Sequence, residues 1–301
     1  MTAANEPPII SRFDHVTVAV AALQPAVERY RALLGSEPVW RGGHPDTGTE
    51  AALFGLRNAV IELVAPREGD ERAEGLRALI RTRGEGILTL ALGTDDADAC
   101  RRALRERGVR AAPPESGEAV ADADGETRLY RSVEISPRAT RGISVLAVER
   151  DDFAALLRPA VSSPAACDAL DHVVVFTSDP DAAIALYRDA MGIRLALDRD
   201  LGATRMLFFR VGGVTLEVVQ RPDAGAQDSF YGMAYRVADL DAAHARLRAA
   251  GFVVSDPRDG NKPGTRVFTV RAGTCGVPTL VLRDSSRDGT APAAPVGQPA
   301  S

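Results

Sequence analysis

The sequence predicts an α+β protein built from four βαβββ modules, paired two by two into two domains, and three observations carry that reading. The chain has 301 residues, too many for one small core and suited to two domains of ordinary size. The stretch DHVTVAV at residues 14 to 20 returns, slightly altered, as DHVVVFT at residues 171 to 177, and Tyr30, Arg31 and Gly35 recur as Tyr187, Arg188 and Gly192 at the same distances from the histidine. That spacing marks a duplication. Inside each half lies a finer repeat: TDDADACRRALRERGV at 94 to 109 and VADLDAAHARLRAAGF at 237 to 252 each place an acidic helix start before a glycine, and each follows a strand pattern.

The first module, residues 12–85, opens on a strand of alternating faces, so His15, Thr17 and Ala19 look one way and Val16, Val18 and Val20 the other. The valine face belongs under a helix; the histidine face looks into a cleft. LQPAVERYRALLG carries apolar residues at three- and four-residue spacing and stops at Gly35. Later, AVIELVA puts Glu62 on a face with Val60 and Val64. A carboxylate among valines is costly to bury unless a metal or a protonated histidine lies beside it.

The second module, residues 86–150, reads as the strand GILTLAL, the helix at 94 to 109 and strands ending in GISVLAV. Residues 151–167, rich in proline, serine and alanine, suit a linker or strap. The third module, 168–230, repeats the first: His172 shares a strand face with Val174 and Phe176, PDAAIALYRDAMG is the helix, and VTLEVVQ supplies Glu217. The fourth, 231–284, runs from YGMAYRV through a helix that carries His244 on its surface to GVPTLVL. The tail, residues 285–301, is rich in proline, alanine, serine and glycine and is expected to be disordered.

Composition excludes several classes. Hydrophobic content of 45% with 26% charge is that of a globular protein, and no apolar run is long enough for a membrane helix. The N-terminus does not read as a signal peptide, so a cytoplasmic location is the default expectation. Net charge is -5 and the arginines are scattered among acids, which argues against nucleic acid as a partner. Cys100, Cys167 and Cys275 are widely spaced and read as reduced thiols. The expected partner is a small-molecule substrate or ligand, with a homodimer left open as the assembly.

The modules, with a histidine on each first strand and a glutamate on a later one, resemble the vicinal oxygen chelate superfamily of glyoxalases, bleomycin-resistance proteins and extradiol dioxygenases. The resemblance implies two glyoxalase-like domains, 12–150 and 168–284, each with a cupped mixed sheet. It also implies a divalent metal (Fe, Zn, Ni or Mn) in a cup, held by the first and last strands of the modules. By that pattern His15, Glu62, His172 and Glu217 are metal ligands, and His172 and Glu217 are the catalytic pair. In the second and fourth modules the matching positions hold Thr89, Leu146, Gly232 and Val281, none of them such a ligand. Thr89 and Gly232 read as room kept for a ligand.

Three readings of the His and Glu pairs stay open. His44, in the turn-like VWRGGHPDTG, completes a 2-His-1-carboxylate set with His15 and Glu62, although such a turn also suits a solvated loop residue. Alternatively, all four residues converge on one site. In the third reading there is no metal, and each pair is an acid-base or binding couple in an apolar cup. Candidate substrate contacts are Arg205, Phe208, Tyr231, Lys262 (the only lysine) and Arg266, all in the C-terminal half, the expected seat of chemistry. The leading function is a metal-dependent lyase or isomerase of glyoxalase I type acting on a small oxygenated substrate. The alternatives are a metal-free binding protein of the antibiotic-resistance type and an extradiol dioxygenase-like enzyme.

Overall fold

The computed structural model describes residues 9–158 and 163–287. The N-terminal half runs β1 (Arg12–Ala19), α1 (Leu23–Leu34), β2 (Trp40–His44), β3 (Thr49–Gly55), β4 (Val60–Pro66), α2 (Glu74–Arg83), β5 (Gly86–Gly93), α3 (Ala97–Glu106), β6 (Glu115–Ala121), β7 (Thr127–Ile135) and β8 (Ser144–Glu149). Its eight strands close into a barrel in the order β1-β4-β3-β2-β6-β7-β8-β5. Helix α2 is an addition that the repeat pattern does not contain.

After the short helix α4 (Phe153–Leu156), the C-terminal half runs β9 (Ala169–Thr177), α5 (Pro180–Ile184), a π-helical continuation over Ala185–Ala190, β10 (Arg194–Asp200), β11 (Arg205–Val211), β12 (Val214–Gln220), β13 (Ser229–Arg236), α6 (Leu240–Ala249), β14 (Arg258–Asp259), β15 (Thr265–Val270) and β16 (Thr279–Asp284). These strands form one sheet, β10-β11-β12-β9-β13-β16-β15-β14. It stays open because β14, the counterpart of β6, is two residues long and does not pair with β10.

The acidic helix starts act as caps. Asp96, Asp179 and Asp239 each accept a hydrogen bond from the backbone three residues on, at 2.9, 3.0 and 2.9 Å. The valine faces lie under the helices: Val16, Val18, Val20, Val173 and Val175 are buried in one core that spans both halves. Each such side chain contributes roughly 1.5–3 kcal/mol of burial. The segment between the halves is pinned as a strap: Leu156 is buried, Arg158 N donates to Leu56 O, and Cys167 N donates to Leu34 O. The Arg246 guanidinium donates to the carbonyls of Ala32, Leu33 and Ala165, which ties α6 to the end of α1.

Some expectations need correction. Val281 faces the helices and is fully buried, whereas Leu282 clusters with Ala234 and Val267 on the other face, so by register Leu280 and not Val281 matches the glutamate position. Gly232 does not leave room for a ligand: a Cβ there would collide with the carbonyl of Pro278. His244 is half-buried, edge-on to Phe268 at 5.1 Å, with Nε2 3.1 Å from Ser255 O. Ser285–Arg287 form a helical turn, and residues 288–301 of the expected disordered tail lie outside the described residues. No helix among the described residues is long and apolar enough to cross a membrane.

Candidate functional site

The inner face of the N-terminal barrel encloses a cavity of about 420 Å³, lined by residues of both modules. His15 and Thr17 come from β1, His44 and Trp40 from β2, Glu62 from β4, and Thr89 and Leu146 from the second module. The four positions that match the family's ligand set thus share one cup in this half. Only two hold a histidine or glutamate.

Glu62 sits at the centre of a polar cluster. Its Oε2 accepts from Thr17 Oγ1 at 2.7 Å and lies 3.5 Å from His15 Nε2; its Oε1 lies 3.2 Å from His44 Nε2. Burial alone would raise the carboxyl pKa, but the hydrogen bond from His44, the charges of His15 and His44 and the Thr17 hydroxyl outweigh it and hold it at about 2. Burial likewise works against the imidazolium of His44, and the bond and charge of Glu62 overcome it, so its pKa is raised. His44 is therefore a strand residue paired inside the cup, not a solvated loop residue.

The repeated Asp-His is explained by what the aspartate does. Asp14 Oδ1 lies 2.8 Å from His15 Nδ1, and Asp171 Oδ2 lies 2.9 Å from His172 Nδ1. A carboxylate on Nδ1 fixes the ring and turns Nε2 toward the glutamate.

Among the described residues, no group of three or more His, Cys, Asp or Glu side chains is set to hold a metal ion. The contacts give the reason. Both Glu62 oxygens already face protein groups, Thr17 Oγ1 and His44 Nε2, so the cluster is satisfied without an ion. The buried guanidinium of Arg150 adds positive charge beside Glu62. His15, His44 and Glu62 are brought together as one hydrogen-bonded cluster, both imidazoles facing the same carboxylate.

The C-terminal pair is looser. His172 Nε2 is 3.8 Å from Glu217 Oε2, and burial raises the Glu217 pKa against the opposing pull of His172. The two His and Glu pairs lie on separate sheets, so they do not converge on one site. Phe208 pairs in register with Glu217, and Tyr231 stacks on Phe176 at 4.4 Å, so both accompany the open face. Arg205 is bound to Asp198 and Asp181, Lys262 to Asp284 and Arg266 to Asp241. These three cations are engaged by carboxylates of their own surroundings, not by His172 or Glu217. Burial pushes the Cys275 thiol up to about 12, which fits a packed turn residue.

Sequence reasoning missed Trp40, Arg128, Tyr130 and Arg150, all in the cavity wall. The signal was present: TRLYRSVEI alternates, and Arg128, Tyr130 and Ser132 line the cup together. Tyr130 packs edge-on to His44 with ring centroids 6.2 Å apart, and burial first, with Glu62 next, raises its pKa to about 12. Gly117, opposite it on β6, has no Cβ because the Tyr130 ring fills that space.

Comparison with known proteins agrees with this architecture. Residues 13–152 match the family model described as Glyoxalase-like domain, and residues 169–278 match that of the Glyoxalase/Bleomycin resistance protein/Dioxygenase superfamily. One relative, an ethylmalonyl-CoA/methylmalonyl-CoA epimerase of Cereibacter sphaeroides, is 32% identical over 122 residues, 40% of this chain and 88% of that protein. Among solved structures, a mutant of 4-hydroxymandelate synthase from Streptomyces coelicolor superimposes with a TM-score of 0.65 at 15% identity, covering 93% of this chain and 94% of that one. The Mn(II)-bound glyoxalase from Novosphingobium aromaticivorans gives 0.63 at 16% identity, covering 91% and 82%. At these identities the structural likeness speaks for the fold alone. With two glyoxalase-like domains, each a curled sheet of eight strands backed by helices, the chain belongs to the vicinal oxygen chelate superfamily.

Proposed function

We propose that the N-terminal cup takes a small oxygenated substrate and moves a proton on it, in the lyase or isomerase manner of glyoxalase I. The observation that supports this most is the His15, Glu62, His44 cluster in the wall of the cavity. When a carbon next to a carbonyl loses its proton, negative charge grows on the carbonyl oxygen. His44, with its raised pKa, and the neutral Tyr130 phenol are donors for that oxygen inside a partly dry cup. Glu62 at about 2 is a feeble base while His44 binds it. A substrate oxygen that draws the His44 proton away removes that restraint, so Glu62 gains basicity as the substrate is engaged.

A second reading has its own support. The low pKa of Glu62 and the apolar or neutral Leu146 and Thr89 in ligand positions suit a cup that sequesters a molecule without turning it over. Turnover of methylglyoxal with glutathione, and of catechols for the ring-cleavage alternative, is measured on the protein as purified, alongside elemental analysis for Fe, Zn, Ni and Mn. The proton-transfer reading expects turnover that Glu62→Gln abolishes. Tight retention of a ligand with no chemistry would move the protein to the binding class, and turnover that follows a stoichiometric metal would replace the protonic mechanism.

A further inference from the structure

We propose that the ligand of the N-terminal cup is a monocarboxylate with an apolar body, and that Arg150 is the residue that anchors its carboxylate; the inference rests on the reading of this cup as the binding site. Arg150 lines the cavity, and its side chain is 10% exposed. Its described hydrogen bonds both go to Asp152, from Nε to Oδ1 at 2.6 Å and from Nη2 to Oδ2 at 3.2 Å, and Nη1 lies 3.7 Å from Asp14, beyond hydrogen-bond range. A guanidinium has five N–H donors, so this one keeps donors in reserve.

Its counterions, Asp152 and Asp14, do not line the cavity. Asp152 also accepts from Arg128 Nε at 2.6 Å, so two half-buried guanidinium groups share that carboxylate, and Asp14 is a second ionic neighbour of Arg150. The cavity wall thus presents guanidinium N–H donors in mostly apolar surroundings. Half-buried guanidinium groups with donors in reserve recognise planar anions by paired hydrogen bonds, and a carboxylate is a small group of that kind.

The remaining wall sets the body of the ligand. Leu53, Val60, Leu88 and Leu146 are aliphatic, and the Trp40 indole stands under Arg128, whose Cζ is 5.8 Å from the ring centroid. A cavity of about 420 Å³ is of the size that holds a molecule of a phenyl ring and short acid chain. Asp152 is then a positioning residue, since it orients both arginines without standing among the cavity-lining side chains.

Trp40 is the only tryptophan of the chain, so its fluorescence reports on this cup alone. The whole protein is titrated with 3-phenylpropionate and with 3-phenylpropionamide, which has the same shape and no charge. The acid is expected to bind about ten- to a hundredfold more tightly than the amide. Arg150→Met is expected to abolish that preference, Arg150→Lys to keep part of it, and Glu62→Gln to leave it in place; thermal melts check that each variant is folded. Equal binding of acid and amide, or a preference that survives Arg150→Met, overturns the carboxylate anchor while leaving the cup as the site. A preference that Arg150→Met removes, in a protein without proton chemistry, upholds the anchor and sinks the catalytic reading. If neither probe perturbs Trp40, both fail.

Discussion

His44 and Glu62 stand on β2 and β4, two strands apart with β3 between them, yet Nε2 of one lies 3.2 Å from Oε1 of the other. Glu62 is in register with Leu53 and Leu53 with Trp40, so His44 also stands four residues further along; with strands about 4.8 Å apart and about 3.3 Å per residue, a flat sheet would hold the two roughly 16 Å apart. Curvature of the barrel turns both inward and closes that gap.

This pair predicts a pH window of stability. Glu62 falls from an ordinary 4.5 to about 2 on folding, so its contribution is fully present above 4.5 and is lost as pH falls toward 2. The His44 pKa rises from 6.5, so the same interaction is intact below 6.5 and fades as pH rises through the folded value. Counted once, the pair contributes on the order of 3 kcal/mol between those limits. Urea unfolding of wild type and Glu62→Gln across pH 3 to 9 is expected to give a stability difference that peaks near pH 5 to 6. A difference flat in pH would show that the pairing does not govern this glutamate.

The duplicated glutamates should respond in opposite senses. Burial raises the Glu217 pKa, so its ionised form costs stability as pH climbs above the folded value. Glu217→Gln is therefore expected to raise the melting temperature at pH 8 and to change little at pH 4, while Glu62→Gln lowers it near neutrality. A drop for Glu217→Gln at pH 8 would mean that an unseen cation balances its charge.

Chelation tests the self-satisfied cluster. Because Thr17 and His44 already answer the Glu62 oxygens, dialysis against EDTA is expected to leave the melting temperature unchanged, and added Zn or Mn to shift it by under about 1 °C. A shift of several degrees, with stoichiometric metal by elemental analysis, would contradict the arrangement.

The inter-helix staple is expected to be costly to remove. Arg246→Met leaves the carbonyls of Ala32, Leu33 and Ala165 without their donor, for a loss of about 2–4 kcal/mol in chemical denaturation. A loss under 0.5 kcal/mol, a value at the level of surface substitutions, would assign the contact no structural weight.

The duplication, the module order and the inward face of β1 were legible because each rests on local periodicity: two-residue alternation in DHVTVAV and the Tyr30 to Gly35 helix end. His15 and Glu62 followed from the same alternation. Three things were not local. Arg128, Tyr130 and Arg150 enter the cup from the second module, and only barrel closure brings them to the first. His44 reads as a turn because two glycines and a proline surround it, yet Gly42 and Gly43 are paired strand residues. The position expected at Val281 slipped by one residue, since a short strand after proline offers no pattern to fix its phase. The expectation of chemistry in the C-terminal half weighed residue types without knowing that β14 would be too short to close that sheet.

The ring of the N-terminal half is completed where β2 meets β6, and that junction consists of only two residue pairs, Gly42 with Ala121 and Gly43 with Val120. It is the shortest pairing in the barrel, and His44 is the next residue along. Amide protons at this seam should exchange with solvent before those of the β1 and β4 pairing. His44 follows this seam directly, so the shortest pairing in the barrel is also the one that holds His44 in place against Glu62.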